Sequence, residues 1–380
     1  MTGQRWASLV PVYDDRGAFW AERILAGGQA VRVRAEHVRK ERGLVYGRLA
    51  ILVGGVVLAW SDFNLERDED RVRIANSAYQ HINGVMGEEY PKAHLKKDID
   101  DFVLRLPDAM DATLAVDRTP GDLEPSLPPF LIRPYLVHGG GTILFGPPGL
   151  GKSWLALVLA VSLDAGVGPF EIVNGAKAVL YINLERGRAS FARRLATVNA
   201  ALGLPRERPL AMIHGRGRTL LDCLSPVRRA LTEDDYAAVF LDSISRSGAG
   251  SMVADDVANR IADALNGFGV AWLAIGHTAR GDGEHVYGSQ MFDAAADICV
   301  QFLSQETVGQ LGVGLQITKA NDFKPPPFAA YALAMDEYGL VGVRAAGRRE
   351  FSTVTAMRKQ HPLEAARAYL LKVGESSLSQ

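Results

Sequence analysis

Two cysteines in 380 residues, Cys223 and Cys299, are too few and too far apart for a disulfide framework or a thiolate metal site. They set the expectation of a protein of the reducing cytoplasm. A long apolar run is missing as well. The longest, "LAILVGGVVLAW", has twelve residues, short of the ~20 that a helix needs to cross a bilayer, so no membrane partner is expected. Its central Gly54-Gly55, flanked by β-branched residues, predicts a tight β-hairpin instead. The opening "MTGQRWASLVPVYDD" lacks the charged-then-apolar layout of a secretory signal. Charge of one sign is not in excess either: 42 basic side chains face 43 acidic ones, a formal net charge of −1. No global field steers the chain to nucleic acid, and any such binding has to come from local patches. Hydrophobic residues are abundant at 48%, enough for more than one core in a chain of this length.

Residues 1–106 are predicted to be a small α+β domain. Short apolar runs such as "AVRVRAEHV" and "GLVYGRLAILV" give β-structure. Two helices follow, one with Leu65, Val72, Ile74 and Ile82 among charges, the other with Leu95, Ile99, Phe102, Val103 and Leu106 on one face. Residues 107–134 hold six prolines, a density that predicts a linker rather than a helix or central strand. From 135 to 348, strand-like runs alternate with helical segments: "GGTILF", "AVLYINL", "LAMIHG", "AAVFLD", "VAWLAIGH", "AADICVQF" and "VGLQITK". That alternation predicts an α/β domain with a mostly parallel sheet and helices on both faces. Residues 349–380 form a tail in which Pro362, Leu363, Ala366, Leu370 and Leu371 suit one helix. It reads as a docking helix, with the start of a winged helix-turn-helix as the other reading.

The run Gly146-Pro147-Pro148-Gly149-Leu150-Gly151-Lys152-Ser153 fits G-x-x-x-x-G-K-[ST], and Trp154 follows in an apolar helix. A strand leads in and a helix leads out, the context in which backbone N–H groups and a helix N-terminus cradle phosphates. Lys152 is expected on the β- and γ-phosphates and Ser153 on Mg²⁺. The strand "YAAVFLD" ends in Asp242, the second expected Mg²⁺ ligand; an Asp at a strand end is otherwise a common turn former. ATP and Mg²⁺ are thus the expected ligands. A guanine-reading signature fails at "TKAN", where Asn321 stands in place of the closing aspartate.

Many P-loop ATPases carry a catalytic glutamate directly after the magnesium aspartate. Here that position is Ser243. Glu185, closing the first predicted strand after the phosphate-loop helix, is the replacement candidate, since both strand ends lie at the sheet edge where open α/β folds bind ligands. A base there can polarise a water in line with the γ-phosphate. A surface glutamate paired with Arg186 or Arg188 is the plainer alternative.

These motifs resemble the RecA/DnaB-type ATPases, and within them the hexameric RepA-type helicases of plasmids and phages. The resemblance spans roughly residues 130–345 and rests on "GPPGLGKS", "YINLERG…RRL" with Glu185, Arg193 and Arg194, "VFLDSIS" and "WLAIGHTARG". It implies a RecA-like fold, a homo-hexameric ring and single-stranded DNA drawn through its channel. It also implies a γ-phosphate sensor at His277, with Gly288, Ser289 and Gln290 near the site. Such rings present two basic residues, two positions apart, to the neighbouring subunit; Lys319 matches the first, Asn321 fills the second, and Lys324 is the stand-in.

The two implied DNA-gripping loops, "SRSGAGSMVADD" and "ARGDGEHVYGSQ", are poor in cations, with Arg246 in one and Arg280 and His285 in the other, and Tyr287 as their aromatic. In the first domain "RVRAEHVRKERG" is basic but interspersed with glutamate, favouring a solvated sheet face over a DNA patch; that domain is also where a protein partner could engage. Three functions stand in order: a DNA motor, an ATP-dependent assembly switch, and a recombinase-type filament.

Overall fold

A computed structural model describes residues 8–14, 18–25, 27–41, 44–82, 90–114, 116, 121, 126–248, 250–278, 286–288, 290–347 and 350–351. The chain divides into two compact units, Met1–Leu123 and Glu124–Gln380.

In unit 1, β1 (Val12–Tyr13), β2 (Phe19–Ile24), β3 (Ala30–Glu41), β4 (Leu44–Val53) and β5 (Val56–Asn64) form an antiparallel sheet in sequential order. The predicted hairpin is there: Val53 pairs with Val56 across Gly54 and Gly55, whose φ values of 55° and 83° a two-residue turn demands. On β3 the side chains alternate, with Val31, Val33 and Ala35 buried and Arg32, Arg34 and Glu36 partly exposed. The buried face takes α1 (Asp68–Ile82) through Ile74, Ala75, Ala78 and Ile82, and α2 (Lys92–Ala112) through Leu95, Ile99, Phe102, Val103 and Leu106. Val72 of α1 is exposed. Three cations of the basic stretch are paired with acids: Arg32 with Glu22 at 2.7 Å, Arg34 with Glu36 at 3.3 Å and Lys40 with Asp111 at 2.6 Å.

One expectation is corrected here. The prolines do not end the second helix at residue 106, because α2 runs through Pro107 to Ala112. Losing one helical N–H costs less than unwinding a turn whose Leu106, Ala109 and Met110 pack on the core. At the other end of the expected linker, β6 (Phe130–Arg133) already belongs to unit 2, where it pairs with β7 (Leu136–Val137) and β9 (Glu171–Ile172).

The main sheet of unit 2 has nine strands among the described residues. In sheet order they are β11 (Ala211–His214), β10 (Val179–Asn183), β12 (Ala238–Asp242), β13 (Ala271–His277), β8 (Gly141–Gly146), β14 (Ile298–Thr307), β15 (Gln310–Ala320), β16 (Ala329–Asp336) and β17 (Gly339–Ala346). Pairing is parallel from β11 to β14 and antiparallel beyond. The side chains of the central strands feed two cores alternately. Leu144, Tyr181, Phe240, Leu273 and Ile275 meet α3 (Lys152–Ala165) and α4 (Arg188–Ala201) on one face. Ile143, Phe145, Leu180, Ile182, Val239 and Leu241 meet α5 (Leu220–Glu233), α6 (Asp255–Asn266) and Phe292 of α7 (Met291–Ala295) on the other. This is the mostly parallel α/β class, with helices on both faces, that the alternation of strand and helix runs predicted. The strands β16 and β17 were not foreseen; "AAYALAM" has no strong β-propensity, and pairing with β15 decides its state. The tail 352–380, with its predicted helix, lies outside the described residues.

Candidate active site

Gly149 and Gly151 take φ values of 82° and 101°, and Gly151 sits at the N-cap of α3. Packing also requires glycine: a Cβ on Gly146 would lie 2.7 Å from the Phe302 carbonyl oxygen and one on Gly151 2.6 Å from Leu311 Cδ2. Strands β14 and β15 thus press against the phosphate loop. Lys152 folds back on it, donating to the Gly146 and Pro147 carbonyls at 2.8 and 2.6 Å. Burial lowers its ammonium to a pKa of about 8, against the pull of Asp242 and Glu185.

Strand register gathers the rest. Asp242 ends β12 opposite Asn183, the last residue of β10, and His277 ends β13 opposite Gly146. Asp242, 2% exposed, accepts from Ser153 Oγ at 3.2 Å and from the Tyr181 hydroxyl at 3.4 Å. Burial first, then the Glu185 charge, raises its pKa to about 6. The fully buried Asn183 holds the next turn: its Oδ1 accepts the Glu185 and Arg186 N–H groups at 3.2 and 2.8 Å, and its Nδ2 donates to the Arg186 carbonyl at 2.9 Å. That turn sets Glu185 beside His277, whose Nε2 is 4.0 Å from Glu185 Oε1. Ser243 Oγ donates to the same oxygen at 2.5 Å. His277 and then Ser243, opposed by burial, hold the Glu185 carboxyl down at about 2. It is ionised across the physiological range.

Glu185, Lys152, Ser153, Asp242 and His277 therefore share one cleft edge. Ser153 and Asp242 offer hard oxygen donors, and among the described residues no three His, Cys, Asp or Glu side chains gather as a metal cage. This donor set fits Mg²⁺, which keeps water and phosphate ligands and takes few from protein. The glycine cradle and buried ammonium fit a triphosphate.

Lys319 is not in this cluster. Its Nζ donates to the carbonyls of Asp293, Ala294 and Ala296 at 2.6, 3.3 and 2.7 Å, capping the C-terminal end of α7. In the single chain the ammonium is held by three carbonyls left over by a short helix. Asn321 is tied to Asp297 at 3.1 Å, and Lys324 is exposed. Of the implied glycine-serine segment, Gly288 packs on Met252, Gln290 opens α7, and Ser289 lies outside the described residues, as do Arg280 and His285.

The sequence reading passed over three contributors. Asn183 and Ser243 act through hydrogen bonds that no spacing encodes. Arg194, quoted only within a motif, lays its guanidinium 4.0 Å from the Trp154 ring centroid and makes no hydrogen bond with it among the described residues. Burial and then Arg186 lower it to about 10, while Asp242 and Glu185 pull it the other way.

A family model described as an AAA domain matches residues 109–283, the span that holds the phosphate loop, Glu185, Asp242 and His277. The match and the loop geometry together support a P-loop nucleotide-binding domain in this span. A search of curated proteins finds no match. A KaiC-like protein of the hyperthermophilic archaeon Pyrococcus horikoshii OT3 is structurally similar at 15% identity, over 58% of this chain and 96% of that one. Its TM-score of 0.39 is too low for the likeness to carry an argument. No helix among the described residues is long and apolar enough to cross a membrane.

Proposed function

We propose that the chain hydrolyses ATP with Glu185 as general base and works as a ring-forming motor on single-stranded DNA, of the RepA-like type. The observation that carries the chemistry is the ionised Glu185 carboxylate held beside His277 and Ser243, next to Asp242 at the sheet edge. Glu185 accepts the proton of an attacking water, and His277 contacts the γ-phosphate as sensor. Lys152 leaves its loop carbonyls for the phosphates, and Arg194, on its Trp154 shelf, supplies a second cation to them. Ser153 and Asp242 would hold Mg²⁺, which when bound neutralises charge on the phosphate oxygens.

The motor reading rests on the motif resemblance. Its test is steady-state ATP hydrolysis with and without single-stranded DNA, beside Lys152→Ala and Glu185→Gln. DNA stimulation lost in both variants is the expected result; variant-sensitive hydrolysis that DNA leaves unchanged refutes the motor and keeps the ATPase. A second reading, an ATP-controlled assembly switch with slow turnover, is favoured by one observation. Lys319 is committed to α7, so the pair of basic residues that triggers a neighbour's site is reduced.

A further inference from the structure

Ser243 stands at the N-cap of the 3₁₀ turn Ile244–Arg246, where a serine ordinarily turns its hydroxyl onto the backbone N–H groups of the turn, yet its side chain makes no cap bond. Ser243 is fully buried and points to Glu185 Oε1 at 2.5 Å, with Ser245 Oγ 2.7 Å behind it. Proton counting fixes the direction. An ionised carboxylate only accepts, and a serine has one O–H to give. Ser243 therefore donates its O–H to a hydrogen bond with Glu185, and the bond between the two serines has Ser245 as donor.

We infer that Ser243 is the positioning residue of the general base and that Ser245 is the link behind it, so that the Ile244–Arg246 turn sets the orientation of Glu185. The turn is itself held to β12 and α5: Ser247 Oγ donates to the Ser243 carbonyl at 3.0 Å, and the Leu220 N–H donates to the Ser247 carbonyl at 3.0 Å. Arg246, exposed on the same turn, also acts on Glu185 through its charge. A group that engages Arg246 and shifts the turn reaches the base through two hydroxyls. The position that holds a catalytic glutamate in many P-loop ATPases thus serves here to orient a glutamate from the next strand.

This inference rests on Glu185 being the base, and the experiment separates the two. Steady-state hydrolysis and fluorescent-nucleotide binding are measured for Glu185→Gln, Ser243→Ala, Ser243→Thr, Ser245→Ala and the double Ser243→Ala/Ser245→Ala variant. Loss of orientation should lower kcat for Ser243→Ala on the order of 10–100-fold, with nucleotide affinity changed less than about twofold. Ser243→Thr, which keeps the hydroxyl, should recover most of the rate. Ser245→Ala should cost less, and nothing further in the Ser243→Ala background, since links in series do not add. Full turnover by Ser243→Ala beside a dead Glu185→Gln overturns the relay alone. An active Glu185→Gln overturns the base assignment and the relay with it. Should Ser243→Ala fail to fold, Ser245→Ala decides: an unchanged kcat refutes the series.

Discussion

Both units bury charge, and they do so to opposite ends. In unit 1 the fully buried Asp98 accepts from Arg23 Nε and Nη2 at 2.6 and 2.5 Å and from the Tyr90 hydroxyl at 2.6 Å. Strand, helix and connection meet in one carboxylate whose charge has its partner at bonding distance. The Asp98 hydrogen bond in turn raises the Arg23 pKa. In unit 2 the buried charges are held apart from full partners. Lys152 is lowered and Asp242 raised because each is desolvated without a matching counter-ion, and Arg194 rests on an indole. The first arrangement is complete and holds a fold. The second is incomplete, with cations and carboxylates placed for a polyanion and a divalent ion.

The largest expected effects attack the incomplete set. Glu185→Gln should lower the hydrolysis rate by about 10²–10⁴, the usual worth of a positioned base, while ATP still binds in a filter or fluorescence assay. Lys152→Ala should lose nucleotide binding itself. Lys152→Ala should reduce the stability of the ligand-free protein by no more than about 1 kcal/mol in denaturant, since it breaks no complete ion pair. Asp98→Ala is the converse case. It strands Arg23 and Tyr90 and should destabilise unit 1 by about 3–5 kcal/mol, with hydrogen exchange rising in residues 18–25 and 90–106. Equal stability losses for Asp98→Ala and Lys152→Ala would break the comparison.

How far the sequence reached follows the same division. The glycine spacing, the Lys152–Ser153 pair and the strand-final Asp242 were legible because P-loop chemistry demands fixed residues at fixed offsets from regular elements, and His277 was legible through the family resemblance. Glu185 was legible by elimination, once Ser243 was seen where a glutamate often stands. Asn183 was not, because its work is to accept two N–H groups in a turn whose existence depends on where β10 stops. The contacts of Lys319 were likewise not legible: the resemblance placed it on a late strand, where it lies, but only the packed structure shows that α7 ends beneath it and takes its donors. Pro107 misled because a local rule was outweighed by the burial of Leu106 and its neighbours.

A smaller effect tests whether Arg194 belongs with the incomplete set. Arg194→Ala should weaken nucleotide binding about tenfold, the range of one or two charge-assisted bonds to phosphate. Arg194→Lys should recover only part of it, since a lysine loses the flat stacking on Trp154. If nucleotide affinity is unchanged while stability drops, the guanidinium is packing for Trp154 and nothing more.

The smallest effect separates the two carboxylates of the site by pH. Asp242 has a folded value of about 6 against an ordinary 3.8, so the native state binds its proton more readily than the unfolded chain does. Its contribution therefore favours the fold below pH ~4 and is lost as pH rises through about 6. Glu185, at about 2 against 4.5, runs the other way: its contribution is present above pH 4.5 and disappears as pH falls towards 2. In ligand-free protein, thermal midpoints between about pH 4 and 6 should gain a downward slope from Asp242 that Asp242→Asn removes, whereas Glu185→Gln alters the acid limb below pH 4.5. Mg²⁺ with a non-hydrolysable ATP analogue should abolish the Asp242 slope, because a bound cation keeps that carboxylate ionised. A slope that survives both Asp242→Asn and the ligand belongs to other groups, and the charge in unit 2 would then be no less complete than that in unit 1.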